Sequence, residues 1–180
     1  EIIDATIHRI DNPNCGLDTL MKYVKGPDFP TGGIVEGLDG IKQAYETGRG
    51  KIVVKSRYEI EESKSGSSII ITEIPFEVNK ALMVKKIDDI RIDKKIEGIV
   101  EVRDESAADV RIVIDLKKNA NKELIINYLL KNTDMQISYN FNIVSIVNRR
   151  PKLLGLAQAL DAFKKKKKEV VRRRTEFDLK

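Results

Sequence analysis

The 180-residue chain is long enough to bury a core as one or two compact units, and 41% hydrophobic residues place it among globular rather than disordered proteins. It has no apolar run near the ~18 residues that span a bilayer and no signal-peptide pattern, so membrane insertion is not expected; a single Cys15 excludes an intramolecular disulfide and suits the cytoplasm, and one cysteine with one histidine argues against structural zinc. The net charge of +5 is lopsided: Lys164 to Lys168 and Arg172 to Arg174 set eight cations against the single Glu169, leaving the rest of the chain slightly acidic.

The chain opens at Glu1 already inside an apolar helical pattern (Ile2, Ile3, Ile7, Ile10), as a piece cut from something larger would. Residues 1–10 therefore read as a helix, and Leu17, Leu20, Met21 and Val24 mark a second over 17–24. The stretch Gly26-Pro27-Asp28-Phe29-Pro30-Thr31-Gly32-Gly33 has too many breakers for regular structure. A helix is expected over 38–47, stopped by Gly48. From Lys51 to Glu62 the period switches to two. A turn over 63–67 and a β-branched run from Ser68 to Ile74 would pair back as a hairpin, closed by Pro75.

Asn79 suits the N-cap of a helix running to about Lys94, with Leu82, Met83, Ile87 and Ile90 on its buried side. Strands follow at 98–103 and 110–116 around a polar turn, then a helix over 121–131. Residues 136–147 are strand-like, and Arg149-Arg150-Pro151 closes that run. One long helix, about 155–177, ends the chain with the basic cluster in its second half. Hairpins mixed with separate helices indicate an α+β fold with a mainly antiparallel sheet. The simplest parse is one domain over 1–154 and a basic helix over 155–180.

No enzyme site assembles from these residues. His8 lies beside Arg9 on a helix, Cys15 has no activating neighbour, and both the P-loop and the Rossmann glycine patterns are missing. The glycine-rich stretch lacks the Lys-Ser/Thr of a phosphate cradle. Acidic pairs such as Asp88-Asp89 and Asp104-Glu105 fit helix surfaces and turns. The chain by itself should be catalytically silent.

Binding is better supplied. Asn79 and Lys80 put free backbone N–H groups, a helix dipole and a cation at one point, a plausible phosphate contact. Arg49 and Lys51 flank Gly50 at a helix-to-strand junction, where a backbone can approach a polyanion. The basic C-terminal cluster favours a polyanion through counterion release, or is a solvated helix face. A protein-interaction domain whose basic end only solubilises it is the competing reading.

Several segments match one family in order and spacing: Gly26 to Gly33, Ala44-Tyr45-Glu46-Thr47-Gly48-Arg49-Gly50, Glu73-Ile74-Pro75-Phe76-Glu77-Val78-Asn79-Lys80, Gly98 to Glu105 and Arg150-Pro151-Lys152-Leu153. Across essentially its whole length the chain resembles the tower region of the breakage-and-reunion A subunit of type IIA DNA topoisomerases. Gly32-Gly33-Ile34-Val35, Val100-Glu101-Val102 and the run Gln136 to Asn142 look more like topoisomerase IV than gyrase, the alternative within the family.

The resemblance implies an ATP-dependent enzyme in which a homodimer of A subunits holds and bends a gate duplex. A partner B subunit, in an A2B2 assembly, supplies the ATPase and the Mg2+ site; a second duplex passes through the break, for decatenation and supercoil relaxation. It also implies that the catalytic tyrosine lies upstream of Glu1, and that residues 155–180 enter a coiled-coil arm. It places an apolar minor-groove wedge at Val35 with Ile34 beside it, on a loop with Thr31 and Gly32. Without the resemblance, Ile34 and Val35 read as ordinary core residues. The run Lys164 to Lys168 departs from the family, which has a mixed apolar and polar helix entry there.

Overall fold

The computed structural model of the chain describes residues 1–64 and 66–179; of the predicted turn over 63–67, Ser65 lies outside the described residues, as does Lys180 of the basic helix expected over 155–180. The elements are helix α1 (Ile2–Asp11), helix α2 (Leu17–Leu20), strand β1 (Ile34–Glu36), helix α3 (Leu38–Thr47), strands β2 (Arg49–Lys55), β3 (Arg57–Ser63) and β4 (Gly66–Glu73), helix α4 (Lys80–Ile92), strands β5 (Ile99–Asp104) and β6 (Ile112–Leu116), helix α5 (Lys122–Asn132), strands β7 (Gln136–Asn142), β8 (Val144–Val147) and β9 (Arg150–Leu153), and helix α6 (Leu156–Asp178). Its helices and antiparallel strands are the expected α+β mixture. Contacts divide the chain into one unit made of Glu1–Pro27, Gly37–Ile52 and Tyr139–Lys180, and another made of Asp28–Glu36 and Val53–Ser138.

The second unit is built on a sheet of order β3-β4-β6-β5. Register sets Ile69 opposite Ile114 and Ile71 opposite Ile112, so these four share one face. All four are fully buried, against Met83 and Ile87 of α4, Ile125 and Leu129 of α5, and Met135. Each such side chain contributes about 1.5–3 kcal/mol on burial. Both helices start on an asparagine cap: the Asn79 and Asn121 side-chain oxygens accept from Leu82 N and Leu124 N, each at 3.1 Å. On the opposite face the Ser68 hydroxyl donates to Asp115 at 2.6 Å, and Arg103 pairs with the same carboxylate and with Glu101 and Glu105. The Ser68 hydroxyl and then Arg103 hold the Asp115 carboxyl below the usual carboxylate range. Exposed Glu59, Glu61 and Glu62 line the edge strand β3, charges that discourage a foreign strand from pairing there.

In the first unit the start of α6 packs on α1, α2 and α3, burying Leu156 and Leu160. Arg9 of α1 makes a forked pair with Asp161 of α6, at 3.2 and 2.9 Å, and also donates to Cys15 O at 2.8 Å. This pairing holds the Asp161 carboxyl low. From Lys165 onward α6 is almost wholly exposed, so the lysine run needs no apolar face. Pairs within the helix, Lys166 and Arg173 with Glu169 and Arg172 with Glu176, offset part of the like-charge repulsion.

The strands β8 and β9 form a tight hairpin with Val147 opposite Arg150. Its two turn residues, Asn148 and Arg149, have φ of 53° and 61°, the type I′ pattern in which Asn-Gly is preferred. A side chain at the second position is strained. Arg149→Gly should therefore raise stability by about 0.5 kcal/mol, the relieved strain less the entropy a glycine adds to the unfolded chain. The urea midpoint of the two proteins measures it.

The sequence pattern missed four boundaries. The single strand expected over 51–62 is broken at Ser56, which is buried and gives its N–H to Met135 O at 2.7 Å. The run over 136–147 is broken at Ile143, whose N–H goes to Gly48 O at 2.8 Å. Arg150 and Pro151 do not close that run but begin β9. Alternation continues on both sides of each break, so period two carries no sign of it. The helix expected over 17–24 is regular only to Leu20; its last turn tightens, Tyr23 N bonding to Leu20 O at 3.0 Å.

Candidate nucleic-acid interface

The breaker-rich stretch forms a pinned loop in the second unit. Gly32 and Gly33 take φ of 75° and 94°, which glycine adopts without strain. Gly32 N donates to Phe29 O at 3.0 Å, and the Phe29 ring lies 6.0 Å from Phe76. Gly33 N donates to Glu73 Oε2 at 2.6 Å, and Arg57 pairs with that oxygen at 3.4 Å. Beyond the glycines, β1 pairs with the end of β2, Ile34 opposite Lys55 and Val35 opposite Val54. Lys55 and Glu36 close the pair with a 2.7 Å ion pair.

Thr31 is exposed, Ile34 is 43% exposed and Val35 is half-buried, beside a fully buried Val54. Ile34 and Val35 are thus surface aliphatic residues on a short strand, not core beneath a sheet. Sequence periodicity could not separate these cases because β1 is only three residues long.

Arg49 and Lys51 stand exposed in the first unit, without an ion-pair partner among the described residues. The glycine between them has an internal purpose. A Cβ on Gly50 would collide with Gly40 O and lie 2.7 Å from Ala44 Cβ, so glycine lets α3 press its backbone onto β2. Gly48, at φ 83°, ends α3 as expected, its N–H bonded to Ala44 O at 2.7 Å. Beside Arg49 and Lys51 opens a groove of about 660 Å³ that also takes in Gln43 of α3 and Asn140 and Asn142 of β7. Sequence reading missed these amides; for Asn140 and Asn142 the signal available was their period-two spacing in a strand.

Asn79 caps α4, as its sequence context indicates, and that cap uses one backbone N–H of the helix start. The neighbouring cation is not free: Lys80 Nζ lies 2.9 Å from Asp104 Oδ2. Hydrogen bonds from Ser106 and Lys80 hold the Asp104 carboxyl below its ordinary value. His8 lies beside Tyr23, its Nδ1 3.4 Å from the hydroxyl. Among the described residues, no three His, Cys, Asp or Glu side chains gather as a metal site, and no helix is long and apolar enough to cross a membrane.

Over residues 1–180 the chain matches the family of DNA gyrase/topoisomerase IV A subunits. It is 58% identical to the A subunit of DNA topoisomerase 4 from Bacillus subtilis (strain 168), over 99% of this chain and 22% of that one. Identity to the protein of the same name from Staphylococcus epidermidis is 56%, over 99% of this chain and 23% of the relative, and to that from Streptococcus pneumoniae 53%, over 99% and 22%. The chain spans about a fifth of the length of these relatives.

Proposed function

This chain belongs to the family of DNA gyrase/topoisomerase IV A subunits, and from that premise we propose that it supports and bends the gate duplex within the breakage-and-reunion subunit of a type IIA topoisomerase. The names of its relatives and the motifs at 32–35 and 136–142 favour topoisomerase IV, hence decatenation and relaxation in the cytoplasm. In this reading the intact protein works as a homodimer of A subunits joined to two B subunits. ATP hydrolysis and the Mg2+ that assists cleavage belong to the B subunit. In this division of labour the work of this chain is mechanical.

One observation carries the proposal: a loop pinned by the Glu73 carboxylate, whose two glycines take positive φ without strain, holds the aliphatic pair Ile34 and Val35 at the surface. An apolar side chain on so stiff a support can part a base step for a few kcal/mol, recovered through the contacts a bend allows. Val35 with Ile34 is the wedge. Thr31 and Gly32 lie against the groove edge, Arg49 and Lys51 contact phosphates, and the helix start at Asn79 and Lys80 adds its backbone N–H groups, the Lys80 ammonium being held by Asp104. Binding is then dominated by charge and largely blind to sequence.

The test is fluorescence energy transfer across an end-labelled duplex bound to the full-length protein. Val35→Asp should straighten the duplex while Val35→Ile keeps it bent, and affinity should fall steeply as salt rises. Equal bending by the two variants removes the wedge. An affinity indifferent to salt favours the protein-interaction reading instead.

A further inference from the structure

We infer that the groove beside Arg49 and Lys51 is a two-phosphate cradle in which each phosphate of one DNA strand is held by a cation and a carboxamide together, Arg49 with Asn142 and Lys51 with Asn140. The inference rests on the duplex-binding function proposed above and deepens it by assigning Asn140 and Asn142, with Gln43 at the rim.

The geometry comes from two neighbouring strands in the first unit. The hydrogen bond from Ile143 N to Gly48 O marks where β2 and β7 meet. One residue inward are Arg49 and Asn142, and two further inward are Lys51 and Asn140. All four are exposed and line the same groove. The opposite side of the strand pair packs on α3: a Cβ on Gly50 would meet Gly40 and Ala44, and the Phe141 ring stands 6.3 Å from Tyr45. One face of this strand pair is therefore packed and the other is open.

Residues two apart on a strand project side chains roughly 6.6–6.8 Å apart on one face. That is close to the separation of successive phosphates along a strand of B-form DNA. Two adjacent strands with this spacing make a two-by-two grid of donors. The chemistry of the grid is one-sided. No carboxylate lines the groove, although the chain carries 28 acidic residues. Guanidinium, ammonium and amide N–H groups all donate to phosphate oxygen, and the amides do so without displacing counterions. A cationic contact lowers the salt slope when removed; an amide contact should not.

That difference is the experiment. Duplex affinity of the full-length protein is measured at several salt concentrations for the wild type, for the pair Asn140→Ala with Asn142→Ala, and for the pair Arg49→Ala with Lys51→Ala. The asparagine pair should weaken binding about tenfold and leave the slope of log K against log salt unchanged. The cation pair should weaken binding and flatten that slope by about 1.8, two phosphates' worth. Asn140→Asp with Asn142→Asp, which keeps the shape and adds repulsion, should bind more weakly than the alanine pair. Inorganic phosphate should compete only at concentrations far above those of an unlabelled duplex, since it cannot span both halves of the grid. If the alanine pair binds within twofold of wild type while wild type keeps its steep salt dependence, the cradle is wrong and the duplex-binding function stands. If wild-type binding ignores salt, the function fails first. Competition by inorganic phosphate as effective as by duplex would make this a small-anion site and overturn the assignment.

Discussion

Gly50→Ala is expected to destabilise the protein by roughly 3 kcal/mol, at the upper end of the usual cost of overpacking. The added methyl group would meet Ala44 Cβ at 2.7 Å and Ala44 N at 2.9 Å, with Gly40 O nearer still. None of these is the far end of a flexible side chain; they are backbone atoms and a Cβ of α3, and the helix must move as a body to make room. Movement is resisted because α3 is fixed elsewhere: Tyr45 and Ala44 are buried, and a Cβ on Gly155 at the start of α6 would sit 2.7 Å from Tyr45 O. Gly40→Ala runs into the mirror problem, its Cβ colliding with Lys51 O. The two substitutions address one contact, so the double variant should lose much less than the sum of the singles. Urea unfolding of the four proteins tests this. A loss below about 0.5 kcal/mol for Gly50→Ala would mean that α3 does not sit on β2 as described.

Which features were legible in the sequence follows from how local their causes are. The ends of α3 and the asparagine at the start of α4 depend on residues within a few positions of each other, and each lies where the sequence places it; the hairpin of β3 and β4 is present too, but its strands reach further than expected, Ser63 pairing with Gly66 inside the stretch read as a turn. The long helix α6 was equally plain, lysine run included, because lysine is a good helix former and exposed positions ask nothing more. What could not be read depends on partners far along the chain. The end of β2 comes where Ser56 gives its N–H to Met135 O, 79 positions away, and Lys80 is tied up by Asp104. Gly50 looked like room for a ligand and is room for Gly40. For the candidate site, the loop and the cations were visible in the motifs, whereas the amides of β7 gain meaning only once β2 lies alongside.

Glu73→Ala should undo the loop that carries Ile34 and Val35, with a larger effect on DNA bending than on DNA affinity. The Glu73 carboxylate accepts the Gly33 N–H at 2.6 Å and packs on Gly32 so closely that a Cβ there would strike it. Its pair with Arg57 is half exposed and contributes little by itself. The hydrogen bond matters more: a partly buried N–H left without an acceptor costs about 1–3 kcal/mol, so a stability loss near 1.5 kcal/mol is expected. A released loop can still touch DNA but cannot press an aliphatic side chain into a base step, because the work of unstacking needs a support that does not give. Bending in Glu73→Ala should therefore fall toward the Val35→Asp level, while affinity drops no more than about threefold, phosphate contacts providing most of it. Glu73→Gln retains an oxygen for Gly33 and should recover most of the bend. Combining Glu73→Ala with Val35→Asp should add nothing further to the loss of bending, since both act on one device. Normal bending by Glu73→Ala, alongside a lowered urea midpoint, would reduce the clamp to a stabilising contact with no part in deforming the duplex.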